Sequence, residues 1–221
     1  MAETLDQKLA KIERGEAAIL NMFHAFMKPN APLYVGDLVL HGIGKRALAL
    51  SSGFRGLIVA RNSTCAAALL RMQLDTALRL YAARLLDDPA SYANTIFKGQ
   101  RISEIKDRDG QRLTDSYLAR RMSDQYPWVQ NVYRQTSEFV HFTNRHIFAA
   151  VSAVDDEKYN AHLQLSAKDP ERPESDYFEL VHAFAHTTQL VATFAAEWHS
   201  AIHPDRKFMV VEQANEATVA S

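Results

Sequence analysis

Residues 63–87 read STCAAALLRMQLDTALRLYAARLLD, and this stretch decides the fold class. It holds no Pro or Gly, and Leu70, Leu74, Ala77, Leu78 and Tyr81 recur at spacings of three and four, the period of one face of an α-helix. Asn62, Ser63 and Thr64 at its start are residues whose short side chains accept hydrogen bonds from the free N–H groups of a first turn. The same periodicity spreads outward between the prolines. A helix is expected from about Leu5 to Lys28, where Leu9, Ile12, Glu16, Ile19, Phe23 and Phe26 are spaced by threes and fours, and a second from about Asp37 to Arg61. The second contains Gly42, Gly44, Gly53 and Gly56, which either permit close helix packing or break it into pieces.

The pattern fades from Ser91 to Leu113, where Asp109-Gly110 suggests a tight turn or small hairpin, and Thr114-Asp115 then opens a short helix to about Asp124. Pro127 suits the first turn of a helix running to about Val151. Tyr159, Ala161, Leu163 and Leu165 alternate with polar residues, the signature of a strand and one arm of a hairpin, before a last helix from about Asp176 to Ile202. The expected fold is all-α, an up-down helical bundle with a small β-hairpin at about residues 151–166, forming a single helical domain over residues 1–207 with a loosely held tail at 208–221.

Composition agrees with a helical globular protein. The 8 glycines and 7 prolines in 221 residues fall well below the roughly 26 that average usage gives. With 25 Lys and Arg against 26 Asp and Glu, nucleic-acid binding has to come from a local patch. Cys65 stands alone in an apolar run, so no disulfide framework or cysteine metal site can form within the chain, and the context reads as reducing and cytoplasmic. The first residues lack an apolar signal core and no stretch reaches the ~18 apolar residues of a membrane span, so no membrane association is expected.

On a helix from Pro127 to Val151, the residues Val129, Tyr133, Thr136, Val140, Thr143 and Ile147 form an apolar stripe expected in the core. Arg134, Glu138, His141 and Arg145 then share the remaining face. Arg134 and His141 would lie two turns apart, roughly 10 Å along the axis. A guanidinium beside an imidazole suits metal-independent RNA cleavage: the His moves a proton at the 2′-hydroxyl or the leaving oxygen, and the Arg offsets charge growing on phosphorus. The same spacing also describes a solvated face of i,i+4 pairs.

Arg71, Asp75 and Arg79 alternate in sign along the third helix, in a segment dense in apolar residues. Charges there need partners, and Arg71 or Asp75 could meet Glu138 or His141 across the bundle. Glu138-x-x-His141 and Glu179-x-x-His182, with His186 a turn beyond, have the spacing of di-iron ligands. Yet the third helix offers Asp75 and no Glu, and Glu179 fits a capping box with Asp176. His199 and His203 at i,i+4 could hold a metal, but they flank a helix end before Pro204, where cationic side chains are favoured anyway. No metal site and no cofactor are therefore expected.

Two blocks carry a resemblance. Asn62–Arg79 (NSTCAAALLRMQLDTALR) is similar to the alanine-rich helix of an uncharacterised bacterial helical family allied to the HEPN group, with an Arg followed four residues on by an acid. Tyr133–His146 (YRQTSEFVHFTNRH) is similar to its Tyr, Ser and Val-His signature. The resemblance implies an all-α homodimer acting on RNA in the cytoplasm, in defence or toxin-antitoxin biology. Active HEPN members carry an Arg and a His separated by four to six residues, and Arg134 and His141, with six between them, match the outer limit. The resemblance thus makes Arg134 and His141 the catalytic pair, with Arg71, Asp75, Glu138 and Arg145 a supporting polar cluster. The chain departs from the pattern at Gln135, where such enzymes commonly have Asn, Asp or His directly after the Arg. A helical interaction protein, in which the cluster only locks the bundle, is the competing expectation.

Overall fold

The computed structural model describes residues 3–27, 32–155 and 160–203. Among these, α1 (Leu5–Phe26) begins at Thr4, whose hydroxyl accepts from the Gln7 N–H while the Gln7 side chain accepts from the Thr4 N–H. Its buried residues Leu9, Ile12, Ile19, Phe23 and Phe26 are the predicted stripe. Helices α2 (Val35–Val59) and α3 (Ser63–Ala83) are joined by three residues, with Arg61 in the left-handed region at φ 57°. So short a connection makes them antiparallel neighbours. Asn62 caps α3 by accepting from the Cys65 N–H. Helix α2 is unbroken, and Gly44 shows why: a Cβ there would come within 2.6 Å of the Phe23 ring, so the glycine lets α1 and α2 close on each other.

The bundle is completed by α8 (Phe178–Ile202), which packs against α1 and α3. Phe23, Leu74, Leu78 and Phe194 lie in one buried cluster, and Leu5, Ile12, Phe54 and Phe184 in another, where the Phe54 and Phe184 rings stack at 3.9 Å. The predicted Asp176/Glu179 capping box does not form: a single 3₁₀ turn at Glu174–Tyr177 leads directly into α8. The segment read as patternless contains α4 (Pro89–Phe97), started by Asp88, whose carboxylate accepts from the N–H groups of Ala90 and Ser91. Asp109-Gly110 is the expected tight turn, with Gly110 at φ 77° and a bridge between Lys106 and Arg112. Thr114 caps α5 (Asp115–Ser123).

The largest departure lies after Pro127. The expected helix to Val151 is two helices, α6 (Trp128–Val140) and α7 (Asn144–Ala149), broken at His141, whose backbone is extended at φ −110° and ψ 149°. Thr143 causes the break to be favourable. Its hydroxyl accepts from the Arg145 N–H and donates to the Glu138 carbonyl at 3.1 Å, and its own N–H donates to His146 Nδ1 at 3.2 Å. This reciprocal cap competes with continuation of the helix. The predicted core stripe holds for Val129 and Thr136 but fails beyond them: Val140 and Ile147 are exposed, as are Phe148 and Phe142, the last at 82%.

The hairpin is present, with β1 (Val151–Asp155) antiparallel to β2 (Asn160–Leu163). An irregularity between Val151 and Ala153 leaves Val151 opposite Leu163 and Val154 opposite Ala161. The predicted residue Tyr159 and the tail at 208–221 lie outside the described residues. No helix among those described is long and apolar enough to cross a membrane.

Candidate functional site

An open cleft of about 950 Å³ runs between α3 and α6 and is bounded by α2 and α5. Arg71 and Asp75, one turn apart on α3, face Tyr133, Arg134, Ser137 and Glu138 from α6, and Arg46, Asp115 and His141 complete the lining. Five of the six residues singled out from the sequence thus share one cavity. The sixth, Arg145, lies on a neighbouring hollow of about 450 Å³, where it forms an ion pair with Glu138 from the far side of the helix break.

The cleft floor is a ladder of alternating charge. Arg46 approaches Asp75 at 3.8 Å, Asp75 pairs with Arg79 at 3.0 Å, Arg79 pairs with Asp115, and Asp115 pairs with Arg71 at 3.0 Å. Burial acts against the Arg79 charge, but Asp75 and Asp115 outweigh it and hold the guanidinium above the ordinary arginine range. Arg71 also reaches Ser137 Oγ at 3.4 Å and lies 4.5 Å over the Tyr133 ring. The expected pairing of Arg71 or Asp75 with Glu138 or His141 is therefore corrected. Asp115, the hub that accepts from both Arg71 and Arg79, was missed as a site residue. The Thr114-Asp115 helix start marked its place on α5, but only tertiary packing brings α5 beside α3.

Arg134 is exposed and donates to the Asn131 side-chain carbonyl at 3.2 Å. Among the described residues it has no carboxylate partner, unlike Arg46 and Arg71. His141 is exposed as the C-cap of α6 and lines the same cleft. The two do not sit on one continuous helix face as expected. Arg134 to Val140 spans roughly 9 Å of helix rise, and the extended backbone at His141 then redirects the imidazole. The cleft nevertheless holds both.

The metal-like spacings come apart. Glu138 is engaged by Arg145, and the Glu-x-x-His pairs form no common cluster among the described residues. His182 and His186 lie side by side, their rings 4.1 Å apart, and burial followed by the His182 charge lowers the His186 pKa. A different set converges. Asp37, His199 and His203 are all buried, and their ligating atoms lie within 4.8 Å of one another. The two histidines sit at the helix end as expected, His199 in the last turn of α8 and His203 as its C-cap, and both are buried there. Only their i,i+4 spacing was visible in the sequence, and nothing there pointed to Asp37.

No family model, curated protein or solved structure matches this chain.

Proposed function

We propose that the cleft binds and cleaves RNA in a HEPN-like, metal-independent manner, with Arg134 and His141 as the reacting pair. The observation that carries this reading is the imbalance within the cleft. Arg46 and Arg71 are matched by carboxylates, whereas the Arg134 guanidinium meets only an amide oxygen among the described residues and shares an open cleft with the His141 imidazole. An anion entering the cleft meets Arg134 as the available cation, and a planar guanidinium engages two phosphate oxygens at once. The imidazole takes the proton of the 2′-hydroxyl, the 2′ oxygen attacks the adjacent phosphorus, and the imidazolium returns the proton to the departing 5′ oxygen. Arg134 stabilises the charge on the pentacoordinate phosphorus. Tyr133 presents an aromatic ring beside the path. The ladder beneath joins α2, α3 and α5, and Arg71 reaches α6 through Ser137. A cytoplasmic, bacterial homodimer in defence or toxin-antitoxin biology belongs to the same reading, and the apolar side chains left exposed on α7 and the hairpin support self-association.

Incubation of the purified protein with total RNA in EDTA tests it. Wild type should fragment the RNA, His141→Ala should cut the rate by roughly 10² to 10⁴, and Arg134→Lys should also impair it, while all three keep the same thermal midpoint. Cleavage that survives both substitutions refutes the assignment.

Two observations favour a second reading. The unbroken ion-pair ladder from Arg46 to Arg71 is what a structural lock requires, and Gln135 follows Arg134 where catalysts of this kind carry Asn, Asp or His. A helical interaction protein would leave RNA intact with wild type and variants alike.

A further inference from the structure

The cluster at the junction of α2 and α8 stands apart from the cleft. Asp37 lies in the first turn of α2, His199 in the last turn of α8, and His203 is the C-cap of α8. All three are buried, at 4%, 4% and 6% exposure. The two helix ends are pressed together: a Cβ on Gly36 would come within 2.4 Å of Ile202 Cδ1. Trp198 Nε1 donates to the Pro89 carbonyl at 3.1 Å and pins the end of α8 against α4.

The ligating groups are held in fixed orientations. The His199 ring stacks on Phe26 at 3.8 Å with the planes 2° apart, and the His203 ring leans against Tyr34 at 5.2 Å. One Asp37 oxygen accepts from the Tyr34 N–H at 3.0 Å, which turns the other toward His203 Nε2 at 2.6 Å. A carboxylate fixed by a backbone donor, beside imidazoles fixed by aromatic faces, is the outer support that metal ligands use.

We propose that Asp37, His199 and His203 form a binding site for a first-row transition-metal cation, with zinc the best-matched ion. Two imidazole nitrogens are borderline donors that, with one carboxylate, suit Zn²⁺ and its neighbours, whereas Mg²⁺ and Ca²⁺ take all-oxygen ligand sets. Three protein ligands around zinc leave a fourth position for water. Tetrahedral bonds of about 2.0 to 2.1 Å place ligand atoms roughly 3.3 Å apart. The Asp37 to His203 contact would open by under about 1 Å and the widest pair, at most 4.8 Å, would draw in. The bound ion would clamp the start of α2 to the end of α8, so its effect is on stability and does not depend on the chemistry proposed for the cleft.

The test uses the full chain stripped with EDTA and dialysed. Zinc chloride titrated into it should bind at one ion per chain and raise the thermal midpoint, and magnesium chloride should do neither. Asp37→Asn and His203→Gln should each weaken zinc by more than the roughly 10- to 100-fold that loss of an outer support costs. His182→Gln with His186→Gln, which removes the other histidine pair, should leave binding unchanged. If a ligand variant fails to fold, cobalt(II) chloride added to the wild-type chain decides, since three such ligands give visible d–d absorption of a tetrahedral ion. The proposal is overturned by a wild-type chain that binds no zinc, by variants that bind it as well as wild type, or by a cobalt spectrum matching that of the hydrated ion.

Discussion

In the cleft, Arg46, Asp75, Arg79, Asp115 and Arg71 alternate in sign while keeping part of their surface in water, whereas Asp37, His199 and His203 gather with almost none. The inner members Asp75, Arg79 and Asp115 each have two partners, so losing Arg46 or Arg71 at either end leaves the next still paired. The buried cluster excludes solvent, so water cannot replace a lost partner there. Burial, more than the number of contacts, sets what each group is worth.

The largest effect should come from Asp37→Ala measured in EDTA. It breaks the pair with His203 and frees the Tyr34 N–H, and loss of one partner of a buried pair costs about 3 to 5 kcal/mol. Chemical denaturation of this variant giving a loss under about 1 kcal/mol would make the two clusters energetically alike. Arg71→Ala comes next, at about 1.5 to 3 kcal/mol, the worth of hydrogen bonds to a charged group. Its side chain is 12% exposed, but Asp115 keeps Arg79 after the change. A loss as great as that of Asp37→Ala would show that the ladder lacks the redundancy described. Arg46→Ala should cost under about 1 kcal/mol, since its contact with Asp75 is long and exposed, and added salt should shrink that loss further. Smallest of all, Arg134→Ala should shift stability by no more than about 0.5 kcal/mol. A larger shift would move Arg134 from the open wall of the cleft into its structural floor.

The segment from Pro127 shows how far the sequence could be read and where it stopped. The Thr114-Asp115 start predicted α5, and apolar spacing predicted the long helices α1, α2, α3 and α8, which bury the apolar faces their sequences carry. It also continued through Val140, Thr143 and Ile147, yet there the stripe meets no partner. With nothing to bury against, the local cap made by Thr143 and His146 prevails and the helix breaks. Helix α4 was lost for the opposite reason: at nine residues it is too short for periodicity to register, and its Asp88-Pro89 start was the only sign. The cleft was legible in its parts, since Arg71, Asp75, Arg134, Glu138 and His141 were all singled out. Their pairing was not, because Asp115 arrives from another helix.

By itself the sequence determined the helical class, the hairpin and the helices that meet at the cleft, because these follow from short-range periodicity, capping and alternation along one chain. Only the tertiary structure decided that Asp115 joins Arg71 to Arg79, that Arg134 stays in solvent, and that Asp37 meets His203 from 166 residues away. Those outcomes depend on which helix faces pack together and how much water they exclude, and neither is written in the spacing of any single segment.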